Sequence, residues 1–485
     1  MTPVRALRRY QAICPDWPAF AAAHAQAQPV SIRAHPERIE ARALAALLAE
    51  AGLDARPVSG DGASLRLAAD AAPARHWGYF AGLFQIQEAA AQLPARLLDP
   101  QPGERVLDMC AAPGNKTAQI ALAMRNRGLV VANELQAGRL PALRQLVRRL
   151  GLRNVLLVRG AGESLAAATG PYDRVLVDAP CSGEGTWRKA RRQRRAEPRS
   201  IDAAERDALA ARQTRLLDRA IRLCRPGGRI VYATCTYAPE ENEAVVDAML
   251  RRHGDALTLE AAAIDGLATA AGVTDWAGQR FDPRLGRALR VWPGLTDSGG
   301  FFIAVLRRVD DAAAQSISES KRDSLANLPI LIDDPASEAL LSRFGIAAAH
   351  LAGLEAGPAR GRYLHYRVAG QRWPARPRPD AFGIAAIGLQ VKPVKPTTAL
   401  ALWLAPAASR NRVALDRAQA AAFLRREPVR LARAEALTPI DGPGFVFLSH
   451  AGYSLGVARL NRAGVLESQF PKAWMTPAGG FPGAH

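Results

Sequence analysis

VLDMCAAPGNKT, residues 106–117, is the stretch whose reading decides the fold. A mostly apolar run at 106–109 passes into a turn of small residues, Cys110-Ala111-Ala112-Pro113-Gly114, and a helix is expected over 116–125. A strand, a short turn and a helix start form a cradle in which backbone amides meet a nucleotide-like ligand. As a dinucleotide fingerprint the turn is poor, because it holds one glycine where G-x-G-x-x-G has three. Downstream, strands are expected at 129–134, 155–159, 174–178 and 229–233, with helices at 137–150 and 203–224 between them. That alternation is the mark of a mostly parallel sheet with βαβ crossovers. Pro226-Gly227-Gly228 reads as a helix stop and tight turn before the last of these strands, and 301–306 as a further buried strand.

In an open α/β sheet, ligands bind at the carboxyl ends of the strands. Two cysteines stand there. Cys181 lies in Asp178-Ala179-Pro180-Cys181-Ser182-Gly183, directly after the strand at 174–178, and Cys235 follows the strand at 229–233. The second strand ends in Asn133-Glu134, where an acid can accept hydrogen bonds from ribose hydroxyls. That arrangement serves S-adenosylmethionine as well as NAD. The thiols separate the two, since hydride transfer has no use for them and methylation of a pyrimidine carbon does. Carbon 5 of cytosine is a weak nucleophile; a thiolate added at carbon 6 turns the ring into an enamine, and a second group must later release the product.

The rest of the composition narrows the setting. With 485 residues, 49% apolar and 22% charged, the chain is of ordinary globular type, and its length suggests about three domains. The net charge of +19, carried almost wholly by arginine, draws it toward polyanions. Five cysteines form neither a disulfide framework nor a CxxC metal spacing, so a reducing compartment and no metal are expected. The N-terminus has no continuous apolar core of a signal peptide, and the longest apolar run, 397–408, is too short to span a bilayer. A cytoplasmic protein without a membrane partner is expected.

Several longer motifs carry a resemblance. VLDMCAAPGNKT, DAPCSGEGTWRK (178–189), ATCTYAPEENEAVV (233–246), SGGFFIAVL (298–306), AGLFQIQE (81–88) and LRVWP (289–293) resemble the Sun/Fmu-type RNA cytosine-C5 methyltransferases. Residues 454–459 and QFPKAW (469–474) are similar to the RNA-binding PUA-like domain of the RsmF branch, whose bacterial members modify small-subunit ribosomal RNA. The resemblance implies a Rossmann-like class I methyltransferase core of doubly wound α/β type over 76–310, with a small N-terminal α/β RNA-binding module over 1–75. The polar, Ser- and Ala-rich stretch at 311–330 reads as a linker and 331–392 as an intermediate α/β region, and the resemblance implies a PUA-like domain at 393–485. S-adenosylmethionine is the implied cofactor, held by Cys110, Ala111, Ala112, Pro113, Gly114, Asn115, Lys116, Glu134 and Asp178. Cys235 is the implied nucleophile and Cys181 the group that helps release product. Asp178 would sit at the ring N3 and exocyclic amine, and Lys116 would add a positive field. The implied partner is ribosomal RNA or the small subunit, acted on by a monomer. Transfer RNA is the alternative substrate, and a non-catalytic RNA-binding assembly factor the alternative function.

Other residues take expectations of their own. The basic run 187–195 beside the Cys181 loop reads as a phosphate contact. Glu240, Glu241 and Glu243 read as acids at a helix start, with Asn242 bracing the Cys235 loop. Two positions depart from the family pattern. Ala161 stands where an acid near the adenine is usual, so that either a backbone contact substitutes or Glu163 reaches in, and His35 reads as a surface or RNA-facing substitute.

Overall fold

In the computed structural model, five strands run parallel in the order Cys224–Thr234, Tyr172–Asp178, Arg105–Asp108, Leu129–Glu134 and Val155–Arg159. The structure describes residues 6–58, 60–192, 201–309, 333–360, 362–391, 393–431 and 436–474. The expected linker at 311–330 lies outside them. From Arg105–Asp108 the chain winds to one side through the next two strands, then returns to Tyr172–Asp178 on the other. The order therefore reverses beside Arg105–Asp108, and a crevice opens at a reversal of this kind. Phe301–Arg308 joins antiparallel to Cys224–Thr234, and Leu289–Val291 follows it.

The parallel strands are apolar on both faces because helices cover both. Ala203–Leu223 and Glu243–His253 pack on one side; Leu93–Leu98, Asn115–Ala123 and Leu140–Leu150 pack on the other. Asp202 and Glu205 form a reciprocal capping box that starts the 203–223 helix. Gly151, at φ +66°, ends Leu140–Leu150 in the left-handed conformation that favours glycine.

Pro226-Gly227-Gly228 departs from expectation. The helix ends at Leu223, and the strand begins at once, at Cys224. The triplet lies inside that strand as an irregularity, where the pairing jumps from Tyr172–Cys224 to Arg174–Arg229. Gly227 has φ +70°, and a Cβ on Gly228 would lie 2.5 Å from the Cys224 sulfur. A bulge uses the same residues as a turn.

The N-terminal module is a sheet in the order Arg56–Val58, Asp61–Leu67, Val30–Ala34, Phe84–Ile86. Its last strand lies past residue 75, so the module extends into the segment assigned to the core. Buried arginines fasten it there. Arg38 donates to the carbonyls of Ala81, Gly82 and Arg149, and Arg149 donates to those of Tyr79 and Phe84. His35 is buried, with its ring 3.1 Å from the Leu150 carbonyl, and burial holds its pKa well below the ordinary value. It joins module to core and does not face RNA.

Beyond residue 333, a four-stranded antiparallel sheet (Leu354–Arg360, Tyr363–Val368, Ile384–Gly388, Lys395–Pro396) precedes a five-stranded one built on Gly444–His450 and Tyr453–Leu460. The two share one apolar cluster, in which Phe344 stacks on Phe447 at 3.7 Å between ring centres. A boundary at 392 therefore cuts a common core. Pro379–Phe382 leaves this region and pairs antiparallel with Val155–Arg159, covering the outer edge of the central sheet. Among the described residues, no helix is long and apolar enough to cross a membrane, and no cluster of side chains is arranged to hold a metal.

Candidate active site

Asp178 and Ala233 are partners on adjacent parallel strands, so the loops that follow them leave the same edge of the sheet. The sulfurs of Cys181 and Cys235 lie 3.4 Å apart there, both partly accessible. Backbone contact is close because the crossing points are glycines. Gly185 N donates to the Cys235 carbonyl at 2.9 Å, and Gly300 N to the Gly185 carbonyl at 3.0 Å. A Cβ on Gly185 would fall 2.3 Å from the Gly300 oxygen, and one on Gly300 would strike the Tyr237 ring.

Side chains brace the same crossing. Ser182 Oγ meets Thr236 Oγ1 at 2.6 Å, and Thr236 Oγ1 donates to Glu184 Oε2 at 3.1 Å. Glu184 also accepts from the Tyr10 hydroxyl at 2.7 Å, which ties in the N-terminal segment. Glu241 accepts from Ser182 N at 3.0 Å and Gln213 Nε2 at 2.9 Å. Asn242 accepts from Thr234 and donates to the Thr236 carbonyl at 3.1 Å. The helix starts only at Glu243, which is buried against Arg290. These residues are thus internal struts, and helix-end charge is not their main use. Glu184 lies within the DAPCSGEG run, yet sequence reasoning missed it, along with its partner Tyr10.

Lys116 Nζ lies 2.7 Å from Asp178 Oδ2, and 5.2 Å over the Phe301 ring. Burial opposes charge on Lys116, but the Asp178 carboxylate outweighs it and raises the lysine pKa. The hydrogen bond to Cys235, together with burial, pushes the Cys181 thiol well above its usual range. Either sulfur can donate in the contact between them. The other thiols are held protonated: burial raises Cys14, Cys110 and Cys224, the last to about 12.

One cavity of about 280 Å³ unites the loop and the thiol. Its walls include Cys110, Ala111, Ala112, Pro113, Asn115, Lys116, Asp178 and Cys235, with Asp108 and Arg139 beside them. Gly114 is not on the wall; its left-handed φ of +111° turns the chain into the helix, and a Cβ there would lie 2.4 Å from Leu143. Glu134 is not on the wall either; it is buried, accepting from Gln136 N at 2.7 Å and lying 3.4 Å from a nitrogen of Arg139, which is on the wall. Asp108 is fully buried, with Oδ2 accepting from Thr117 and Oδ1 without a partner; burial lifts its pKa to about 7. Glu163 forms a 3.6 Å ion pair with Arg212, and its other oxygen is unpartnered.

Of the basic run, Arg188 is buried and donates to Asp297 and the Ser298 carbonyl, so it is a structural anchor and not a phosphate contact. Lys189 is exposed and reaches the cavity wall. Residues 193–195 lie outside the described residues, and nothing is described of the side chains at 190–192.

Residues 95–307 match the family model of the 16S rRNA methyltransferase RsmB/F, and residues 410–476 match the methyltransferase RsmF PUA domain. The ribosomal RNA small subunit methyltransferase F of Aeromonas salmonicida is 33% identical over 395 residues, covering 79% of this chain and 76% of the relative. The protein of the same name from Shewanella amazonensis is 36% identical over 294 residues, covering 59% of each chain. With a third relative, from Shewanella loihica, the match spans only 52% of the relative's length. Among solved structures, a methyltransferase homolog protein from Pyrococcus horikoshii aligns with a TM-score of 0.53 and 28% identity, over 60% of this chain and 90% of that one. NSun6 from Pyrococcus horikoshii, solved with SFG, shares the fold at 22% identity and a TM-score of 0.51, over 61% of this chain and 94% of that one.

Proposed function

From its place in the RsmB/RsmF family of 16S rRNA methyltransferases, to which this chain belongs, we propose that it is an S-adenosylmethionine-dependent RNA (cytosine-C5)-methyltransferase acting on small-subunit ribosomal RNA. The observation that carries this reading is the pair of sulfurs 3.4 Å apart, one of them on the wall of the cavity formed by the loop at 110–116.

The residues present suit the cofactor. The unpartnered Asp108 oxygen and the buried Glu134 carboxylate are acceptors for ammonium and ribose hydroxyl groups, and the loop at 110–113 is small enough for close backbone approach. S-adenosylmethionine, when bound there, supplies an electrophilic methyl group. With Glu163 held by Arg212, the adenine would be contacted by backbone and apolar neighbours near Ala161.

Cys235 Sγ adds to carbon 6 of the cytosine, and the ring pair displaced by that bond makes carbon 5 nucleophilic. Cys181 first donates to the Cys235 sulfur. Once that sulfur is bonded to carbon it no longer accepts from Cys181 as a thiolate would, and Cys181 gives up its proton to solvent. Cys181 can then serve as base toward the carbon-5 proton, and the recovered electron pair expels Cys235 from carbon 6. Asp178 stands at the polar edge of the ring with Lys116 on its Oδ2. Lys116 balances the negative charge that builds on the base during thiolate addition. The target nucleotide must be unstacked to enter the cavity.

A methyl-transfer assay on deproteinised small-subunit RNA and on assembled subunits tests the reading. Labelled 5-methylcytosine from either substrate supports it, and none from both would overturn it.

A further inference from the structure

Gln28 is a polar group on the cavity wall that the reaction does not use. It lies in the segment between the helix Trp17–Ala25 and the strand Val30–Ala34, and it belongs to the N-terminal module. Only 3% of it is exposed, yet among the described residues its amide makes no hydrogen bond, and Oε1 is buried without a partner. Leaving a polar group in that condition is costly in the free protein. Such a group persists where something else satisfies it.

Gln28 and Cys235 line the same cavity, and the amide nitrogen would lie 3.7 Å from a Cβ on Gly299. Gly299 is fixed by donating to Glu88 Oε1 at 3.0 Å, and its neighbour Gly300 hydrogen-bonds to the Gly185 loop that crosses Cys235. Asp178, also on the wall, already accepts from Lys116 with Oδ2. A cytosine brings an exocyclic amine with two hydrogens to donate, more than the remaining Asp178 oxygen can accept alone.

We infer that Gln28 is a specificity contact for the target base, its amide turning so that the oxygen, buried in the free protein, accepts one hydrogen of the cytosine exocyclic amine. Uracil carries a carbonyl at that position and has no hydrogen to give. The N-terminal module would then take part in choosing the base as well as in holding the RNA. This inference rests on the reading of Cys235 as nucleophile toward cytosine.

The test uses the full chain and a synthetic RNA spanning the cytosine that the parent protein methylates. In a second RNA that cytosine is replaced by the ribonucleoside of pyrimidin-2-one, which lacks the amine. Gln28→Met keeps the side-chain length without an acceptor and should slow adduct formation about 10-fold on the cytosine RNA, as for loss of one buried hydrogen bond. On the pyrimidin-2-one RNA the same variant should match the parent. Gln28→Glu keeps an acceptor and should hold most of the preference for cytosine. If Gln28→Met slows both RNAs alike, or neither, the inference is overturned. A parent protein that forms no adduct with any RNA would instead overturn the proposed reaction.

Discussion

At the carboxyl edge of the central sheet, buried residues are charged or hydrogen-bonded one to another: Asp108, Glu134, Glu184, Glu241, Asn242 and Glu243 are all nearly inaccessible. In the C-terminal sheet the interior is made of Val413, Phe445, Phe447, Leu455, Val457 and their like. From residue 412 on, the buried polar side chains among the described residues are Ser449 and Ser468. The two regions are equally well covered and are held differently. An apolar interior asks each position for roughly the right volume. A buried polar brace asks each position for a particular donor or acceptor, because a lost partner leaves another group stranded. The first tolerates drift, and the second keeps two thiols in register.

That contrast can be broken by four tests. The largest effect is expected at Cys235: Cys235→Ala should lower methyl transfer by on the order of 10⁴-fold or more, as removal of a nucleophile does elsewhere, and should leave no RNA adduct on a denaturing gel. Residual turnover within 100-fold of the parent would refute its role. Cys181→Ala comes next. Turnover should fall about 10²–10⁴-fold, the usual range for a proton-transfer group, while the covalent RNA complex accumulates. If both variants release RNA alike, the division of labour between the sulfurs is wrong.

Asp108 probes the cost of a buried carboxyl. Its pKa rises from an ordinary value near 3.8 to about 7 in the folded chain. The stability this gives is fully present below pH 3.8 and is lost as pH climbs through 7. Asp108→Asn does not titrate. Its melting temperature relative to the parent should therefore increase between pH 4.5 and 7.5, and then level off. A constant difference across that interval would show that the carboxyl is not desolvated.

The smallest effects form a matched pair. Thr236→Val keeps the shape and removes the hydroxyl that links Ser182 to Glu184; about 1–3 kcal/mol should be lost, with slower turnover. Ile384→Val, in the wholly buried strand Ile384–Gly388, should cost about 0.5–1.5 kcal/mol and leave turnover unchanged. Chemical denaturation measures both, and the reverse ranking would erase the contrast.

The same difference explains what could be read from the sequence. The strands at 129–134 and 155–159 were expected where they occur, since an apolar run between turn residues needs no distant partner to be recognised. Pro226-Gly227-Gly228 was read as a turn because Pro and Gly mark a turn and a bulge alike. The pairing that decides between them is with Tyr172 and Arg174, far upstream. His35 looked like a surface residue until the Leu150 carbonyl, 115 positions away, was brought onto its ring. Arg188 looked like an RNA contact for the same reason, its acceptors lying at Asp297 and Ser298. Local motifs placed the two cysteines and the loop at 110–116. Tyr10, 174 positions from Glu184, carried no local signal at all.

The strand Pro379–Phe382, laid against Val155–Arg159, bears on any attempt to trim the protein to a minimal catalytic fragment. Stopping the chain at residue 309 would strip this sash from the sheet and leave backbone donors and acceptors bare beside Leu156 and Val158. Such a fragment would be prone to recruit the same strip from another molecule. Its clumping would reflect the missing hem and not a fault in the scissored piece itself.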